Sequence, residues 1–123
     1  MAKRVLLIED EPNIVEAIRF LLARDGWEVS CHGEGGEALS LIRALNPDLV
    51  ILDVMLPGRS GYDILQELRA EAATAELPVL LLTARGQARD REMAARLGAS
   101  RYMAKPFSNA EVLAAVRDLA GAG

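Results

Sequence analysis

Three short, unbroken apolar runs constrain this chain more than anything else in it. Val5-Leu6-Leu7-Ile8, Leu49-Val50-Ile51-Leu52 and Val79-Leu80-Leu81-Leu82 have no polar interruption. A strand with one wet face alternates apolar and polar residues, so such runs read as parallel strands covered on both faces. Trp27, Val29 and Cys31 alternate with Glu28, Ser30 and His32, the pattern of a more exposed edge strand. Tyr102-Met103 is a shorter fifth candidate.

Helix signals separate the runs. Pro12 suits a first helical turn, Ile14, Ile18, Leu21 and Leu22 share one face, and Gly26 closes the segment. Ala38, Leu39, Ile42 and Leu45 mark a second helix that stops before Asn46-Pro47. Ser60 with Asp63 resembles a capping box and opens a third, with Ile64, Leu65 and Leu68 facing inward. Ser108 with Glu111 opens the last, with Val112, Leu113, Val116 and Leu119 expected to be buried. The fourth helix, about Ala88 to Leu97, is weaker: Met93, Ala94 and Leu97 are its apolar face, arginines surround it, and Gly98 ends it. Less buried apolar area holds it less firmly. Strand and helix thus alternate five times, which implies an α/β fold with a parallel sheet between two helical layers. Right-handed crossovers reduce the topologies to a few doubly wound ones.

With 123 residues, 51% of them hydrophobic, the chain has material for one domain with its own core, residues 120–123 being a tail or the start of a linker. Aromatics are only 4%, so that core is aliphatic. The single cysteine, Cys31, excludes an internal disulfide and a Cys-rich zinc site. No apolar run approaches the roughly 20 residues a membrane span needs. Met1-Ala2-Lys3-Arg4 is followed by too short an apolar stretch for a signal peptide, so the cytoplasm is the expected compartment. A net charge of −4 argues against a nucleic-acid binder. The charge is unevenly spread, with 10 acidic and 5 basic residues in 1–55, and 4 acidic and 7 basic in 84–123.

The residues that follow each apolar run carry the chemistry. The first run ends in Glu9-Asp10, the third in Asp53, the fourth in Thr83, and the fifth is followed by Lys105. In a parallel sheet these ends open on one edge, where doubly wound folds bind ligands. Clustered carboxylates repel one another unless a cation joins them. Oxygen donors without His or Cys favour Mg2+ over zinc. A carboxylate is also a competent nucleophile toward phosphorus, and a metal, an ammonium and a hydroxyl suit the charge on a transferring phosphoryl group.

This constellation resembles the receiver domain of two-component response regulators. The resemblance spans essentially the whole chain. It rests on Ile8-Glu9-Asp10-Glu11-Pro12, Leu52-Asp53-Val54-Met55-Leu56-Pro57-Gly58 with Ser60-Gly61, Leu82-Thr83-Ala84, and Tyr102-Met103-Ala104-Lys105-Pro106-Phe107. It implies one five-stranded parallel sheet in the order 2-1-3-4-5 with five helices. Asp53 would be the phosphoacceptor. Glu9, Asp10, Asp53 and the Met55 backbone carbonyl would hold Mg2+ or Mn2+. Lys105 would pair with Asp53 and then with the phosphoryl group, Thr83 would bind a phosphoryl oxygen, and Tyr102 would change rotamer with the loop after Thr83. Ala84, Met55 and Arg85 would tune access and phosphate lifetime, and Pro106 would follow a cis peptide. The resemblance also implies phosphotransfer from a sensor histidine kinase or phosphotransfer protein, and slow self-dephosphorylation rather than metabolic turnover.

Thr83-Ala84-Arg85-Gly86 and Met55-Leu56-Pro57-Gly58 look most like receivers attached to winged-helix transcription factors. That branch dimerises through its fourth helix, fifth strand and fifth helix, the face implied for an output domain or effector. Arg91 and Glu111 match its charged pairs, whereas Ser100-Arg101 replaces an acidic pair and Ala115 replaces a basic residue. The implied state is a monomer or a phosphorylation-dependent dimer, with no nucleic-acid or membrane contact by this domain. The rival readings are a metal- or protein-binding module of the same fold without phosphorylation, and an aspartyl-nucleophile phosphohydrolase, for which the chain lacks the length. His32 reads as an exposed strand-end residue, Cys31 as a small buried hydrophobe, and Gly33, Gly35 and Gly36 as a flexible turn. No histidine spacing suggests a metal.

Overall fold

The computed structural model describes residues 3–84 and 88–119. Arg85 and residues 120–123 lie outside the described residues. The elements alternate as the sequence predicts: β1 (Arg4–Ile8), α1 (Pro12–Arg24), β2 (Glu28–His32), α2 (Ala38–Leu45), β3 (Leu49–Asp53), α3 (Gly61–Ala70), β4 (Val79–Thr83), α4 (Ala88–Leu97), β5 (Arg101–Ala104) and α5 (Asn109–Leu119). The strands form one parallel sheet in the order β2-β1-β3-β4-β5. Among the described residues, no helix is long and apolar enough to cross a membrane.

The unbroken apolar runs are explained by two cores, one on each face of the sheet. Val5, Leu7, Leu49, Ile51, Leu80 and Leu82 meet α1 and α5 through Ile18, Leu22, Val112 and Val116. The alternate residues Leu6, Ile8, Val50, Leu52, Val79 and Leu81 meet Ala38, Ile42, Ile64, Leu65, Leu68 and Ala94 of α2, α3 and α4. Every position of β3 and β4 is therefore buried. The exposed edge strand β2 keeps only partial burial, as its alternation implies.

Register sets the functional edge. His32, Ile8, Leu52, Leu81 and Tyr102 form one row across all five strands. Asp53, Leu82 and Met103 stand in the next row, and Thr83 and Ala104 in the one after. Glu9 and Asp10 follow Ile8 directly, and Lys105 follows Ala104. The strand ends thus finish within a residue or two of one another, on the side where the sheet order reverses between β1 and β3.

Both predicted capping positions form. Ser60 accepts from the Asp63 amide at 3.3 Å. At α5 the exchange is reciprocal: Ser108 accepts from the Glu111 amide at 3.1 Å, and Glu111 accepts from the Ser108 amide at 3.0 Å. The face of α5 differs from the sequence reading. Ala115 is buried, while Leu113 and Leu119 are only half-buried. A basic side chain at position 115 would point into the core, so the winged-helix comparison does not extend to a surface charge there. Nor is the glycine turn a loose connection, since the Gly35 amide donates to the Pro57 carbonyl at 2.9 Å and Gly35 is buried.

The C-terminal end of α4 is braced from α3. Arg69 Nε donates to the Gly98 carbonyl at 2.8 Å. Its Nη1 donates to the Thr74 and Ala75 carbonyls at 3.1 and 3.2 Å. Gly98, at φ +92°, takes the left-handed turn that ends the helix, and the Ala99 amide reaches back to the Ala94 carbonyl. Arg69→Ala strips donors from three carbonyls and is expected to cost about 1–2 kcal/mol. Chemical denaturation should show that loss, and hydrogen exchange should rise around residues 74–75 and 94–99. Unchanged exchange there would show that the brace carries no stability.

Candidate functional site

Glu9 leaves the end of β1 and turns inward, 1% exposed. Its Oε2 accepts from the Glu11 amide at 3.0 Å, in the turn that leads into α1. Its Oε1 lies 3.0 Å from Lys105 Nζ, an ion pair that lacks hydrogen-bond alignment. Asp53, the last residue of β3, is 2% exposed. Its Oδ1 lies 3.4 Å from Lys105 Nζ and accepts from the Met55 amide at 3.4 Å. Asp10 is exposed at the rim, and one oxygen from each of Glu9, Asp10 and Asp53 lies within 4.8 Å of the others.

Lys105 is placed by backbone contacts as well as charge. Its amide donates to the Thr83 carbonyl at 2.7 Å, which joins the ends of β4 and β5. The peptide between Lys105 and Pro106 is cis. Burial alone would lower the Lys105 ammonium, but Glu9 and Asp53 outweigh it and hold the pKa above the ordinary lysine value. The amine therefore stays charged at neutral pH. Burial pushes the Glu9 carboxyl above its ordinary value, and the Asp53 charge adds to the rise, against the Glu11 amide and Lys105.

Three carboxylates against one ammonium leave a formal charge of −2 in a half-desolvated pocket. The donors are all oxygen, two of the three acids are buried, and one Glu9 oxygen lacks an aligned donor. Such a set fits a hard divalent cation, Mg2+ before zinc.

The remaining predicted positions fall into separate places. Thr83 is buried at the end of β4, one row beyond Asp53. Met55 is 71% exposed beside the pocket and Ala84 is exposed after Thr83. Tyr102 lies a row below the acids, half-buried with Tyr62 against the α2, α3 and α4 core. It belongs to the packing beneath the pocket, not to the acid cluster.

Sequence reading assigned no role to Gly61. It sits at the start of α3 with its amide bonded to the Val54 carbonyl at 2.9 Å, and a Cβ there would collide with the Asp53 carbonyl. A side chain at 61 would push α3 and Asp53 apart. The Ser60-Gly61 pair was the available signal, since glycine inside a capping box marks a close approach.

A model of the response regulator receiver domain matches residues 5–117. The chain belongs to this receiver-domain family. It is similar to a response regulator from Chloroflexus aurantiacus, at 33% identity and TM-score 0.93, over 98% of this chain and 99% of that one. It is also similar to the receiver domain of a sensor histidine kinase from Pseudomonas aeruginosa, solved with a magnesium ion coordinated in the active-site cleft. That match has 30% identity and TM-score 0.89, and covers 98% and 99% of the two chains. A chemotaxis response regulator from Vibrio cholerae, at 24% identity, has the same fold with TM-score 0.89, over 97% of this chain and 99% of that one. Receivers of two-component signalling undergo phosphorylation and use Mg2+ at an acidic site, and the clustered acids at this sheet edge fit that requirement.

Without a divalent cation the three acids repel, so Asp10→Asn is expected to raise Tm by roughly 2–4 °C in metal-free buffer. Mg2+ should raise the wild-type Tm and have little effect on the variant. Equal Mg2+ responses in the two proteins would remove Asp10 from the cation site.

Proposed function

We propose that this chain is a phosphorylation-switched receiver in which Asp53 takes a phosphoryl group from the phosphohistidine of a sensor kinase or phosphotransfer protein. The observation that carries this is the pairing of buried Asp53 with Lys105 at 3.4 Å, beside Glu9 and Asp10. Both contacts described for the Asp53 carboxylate fall on Oδ1, and we assign the attack on phosphorus to Oδ2. The new bond joins Oδ2 to phosphorus. The phosphorus–nitrogen bond of the donor breaks, its electron pair stays on the imidazole, and that ring takes a proton from solvent. Lys105 offers its ammonium to the negative phosphoryl oxygens as charge builds on them. Glu9, Asp10, Asp53 and the Met55 carbonyl would hold a divalent cation, which would further neutralise those oxygens. Attack of water on the aspartyl phosphate returns the Asp53 carboxylate and inorganic phosphate, which makes the switch reversible. Exposed Met55 and Ala84 flank the route of donor and water.

Thr83 communicates the event. Its carbonyl is tied to the Lys105 amide, and its hydroxyl is the group we assign to a phosphoryl oxygen. Drawing it inward shifts an existing equilibrium of the α4 face, with Tyr102 repacking in the layer below. The face made by α4, β5 and α5 carries the output. A shallow groove there is lined by Arg91, Arg101, Tyr102, Met103, Pro106 and Glu111, among others. Arg101 is engaged within the chain by Asp118 at 2.8 Å. This favours a partner or dimer unlike the usual winged-helix receiver dimer, although the motifs around Met55 and Thr83 still point to that branch.

Incubation with Mg2+ and a small acyl phosphate should give a phosphate adduct by intact mass, absent in Asp53→Asn. No adduct with any small donor or a cognate kinase would leave the unphosphorylated binding module as the better reading. Rapid turnover of many phosphate esters would favour a hydrolase. Thr83→Ala should still accept phosphate, yet lose most of the phosphorylation-induced change in hydrogen exchange at α4. The same α4 response in both proteins would remove Thr83 from the relay.

A further inference from the structure

We propose that His32, Glu34 and Glu37 form a second divalent-cation site, for an ion of the Zn2+ or Co2+ class. It shares no ligand with the Asp53 pocket and does not depend on the phosphorylation reading. One donor atom from each of the three residues lies within 4.8 Å of the others. They are brought together by the short turn between β2 and α2, where His32 is half-buried and not exposed as the sequence implies. His32 is half-buried, its Nε2 is sealed from solvent, and that atom has no aligned hydrogen-bond partner. Glu37 stands at the N-cap of α2, yet its carboxylate does not cap the helix. It lies instead with Oε1 3.5 Å from His32 Nε2.

That spacing is informative. Ligands about 2.1 Å from a tetrahedral ion stand about 3.4 Å apart, so His32 and Glu37 already hold the distance of two ligands on one metal. Glu34 is exposed, with a carboxylate oxygen already within 4.8 Å of the other two donors, and would serve as a third ligand with water completing the shell. The imidazole decides the class of ion. Mg2+ prefers all-oxygen surroundings, whereas Zn2+ and Co2+ accept a nitrogen with two carboxylates. The turn is anchored beside the acid pocket, because the Glu9 amide donates to the His32 carbonyl at 3.0 Å and Ile8 pairs with His32. The ordinary alternative is a surface ion pair between protonated His32 and Glu37, which needs no metal.

The two are separated by titrating the whole chain with Co2+ in excess Mg2+, which competes for the Asp53 pocket, with Asp53→Asn reporting any Co2+ held there. Co2+ should be retained with a visible d–d spectrum, be displaced by Zn2+, and broaden the His32 imidazole resonances. His32→Ala and Glu37→Gln should each weaken Co2+ binding by about tenfold or more. Glu37 is exposed, so its variant reports even if loss of the His32 ring disturbs the turn. Displacement of Co2+ by Mg2+, or equal binding in wild type and both variants, would overturn the proposal. So would weakening by His32→Ala alone, which would mean a lone imidazole and no chelate.

Discussion

The ion pair from Lys105 to Glu9 and Asp53 is the contact on which the rest of the site depends. Burying two carboxylates side by side is unfavourable unless a positive charge accompanies them. The ammonium lies 3.0 Å from one and 3.4 Å from the other, and so lets both stay at the sheet edge. Under the proposed function it is also the part that phosphorylation would rearrange. A dianionic group on Asp53 would compete with Glu9 for the same ammonium, so the resting state would be a charge distribution ready to be redrawn. The sheet makes this possible by rigid means. β1, β3, β4 and β5 end nearly in register, and the two aliphatic cores leave the strand ends little freedom to separate.

Such an arrangement trades stability for function. The acids that would hold Mg2+ repel one another without it, and burial pushes the Glu9 carboxyl above its ordinary value. A bound cation would therefore relieve repulsion already present among these acids. The surrounding fold absorbs this through close backbone packing, visible where Gly61 lies against the Asp53 carbonyl.

Much of this was legible in the residues because it follows from local periodicity. Four consecutive apolar residues in Leu49–Leu52 mean a strand covered twice, and a polar residue directly after such a run must stand at its end. Asp53, Thr83 and Glu9 could be placed on one edge by that reasoning alone. Lys105 required more, because the short fifth strand has only Tyr102 and Met103 to announce it. What escaped were contacts between segments distant in sequence or crossing a turn. Ala115 looked like an exposed substitution because alanine carries no burial signal, yet α5 rolls it inward and leaves Leu113 and Leu119 at the margin. His32 and Glu37 gave no warning, since the bend that turns them toward each other depends on Gly35 bonding Pro57 across the loops.

The Arg69 brace gives α4 the mechanics of a cantilever. Its ten residues make a rod about 15 Å long, secured at the Gly98 end by a guanidinium that also holds the turn before β4. A tilt about that end moves each residue in proportion to its distance from it. Arg89 and Arg91 then sweep a wide arc while Arg96 barely travels. A partner reading this helix would sense the displacement of its N-terminal end, where Arg89 and Arg91 alternate with Asp90 and Glu92, and the root could remain in the same place in both states.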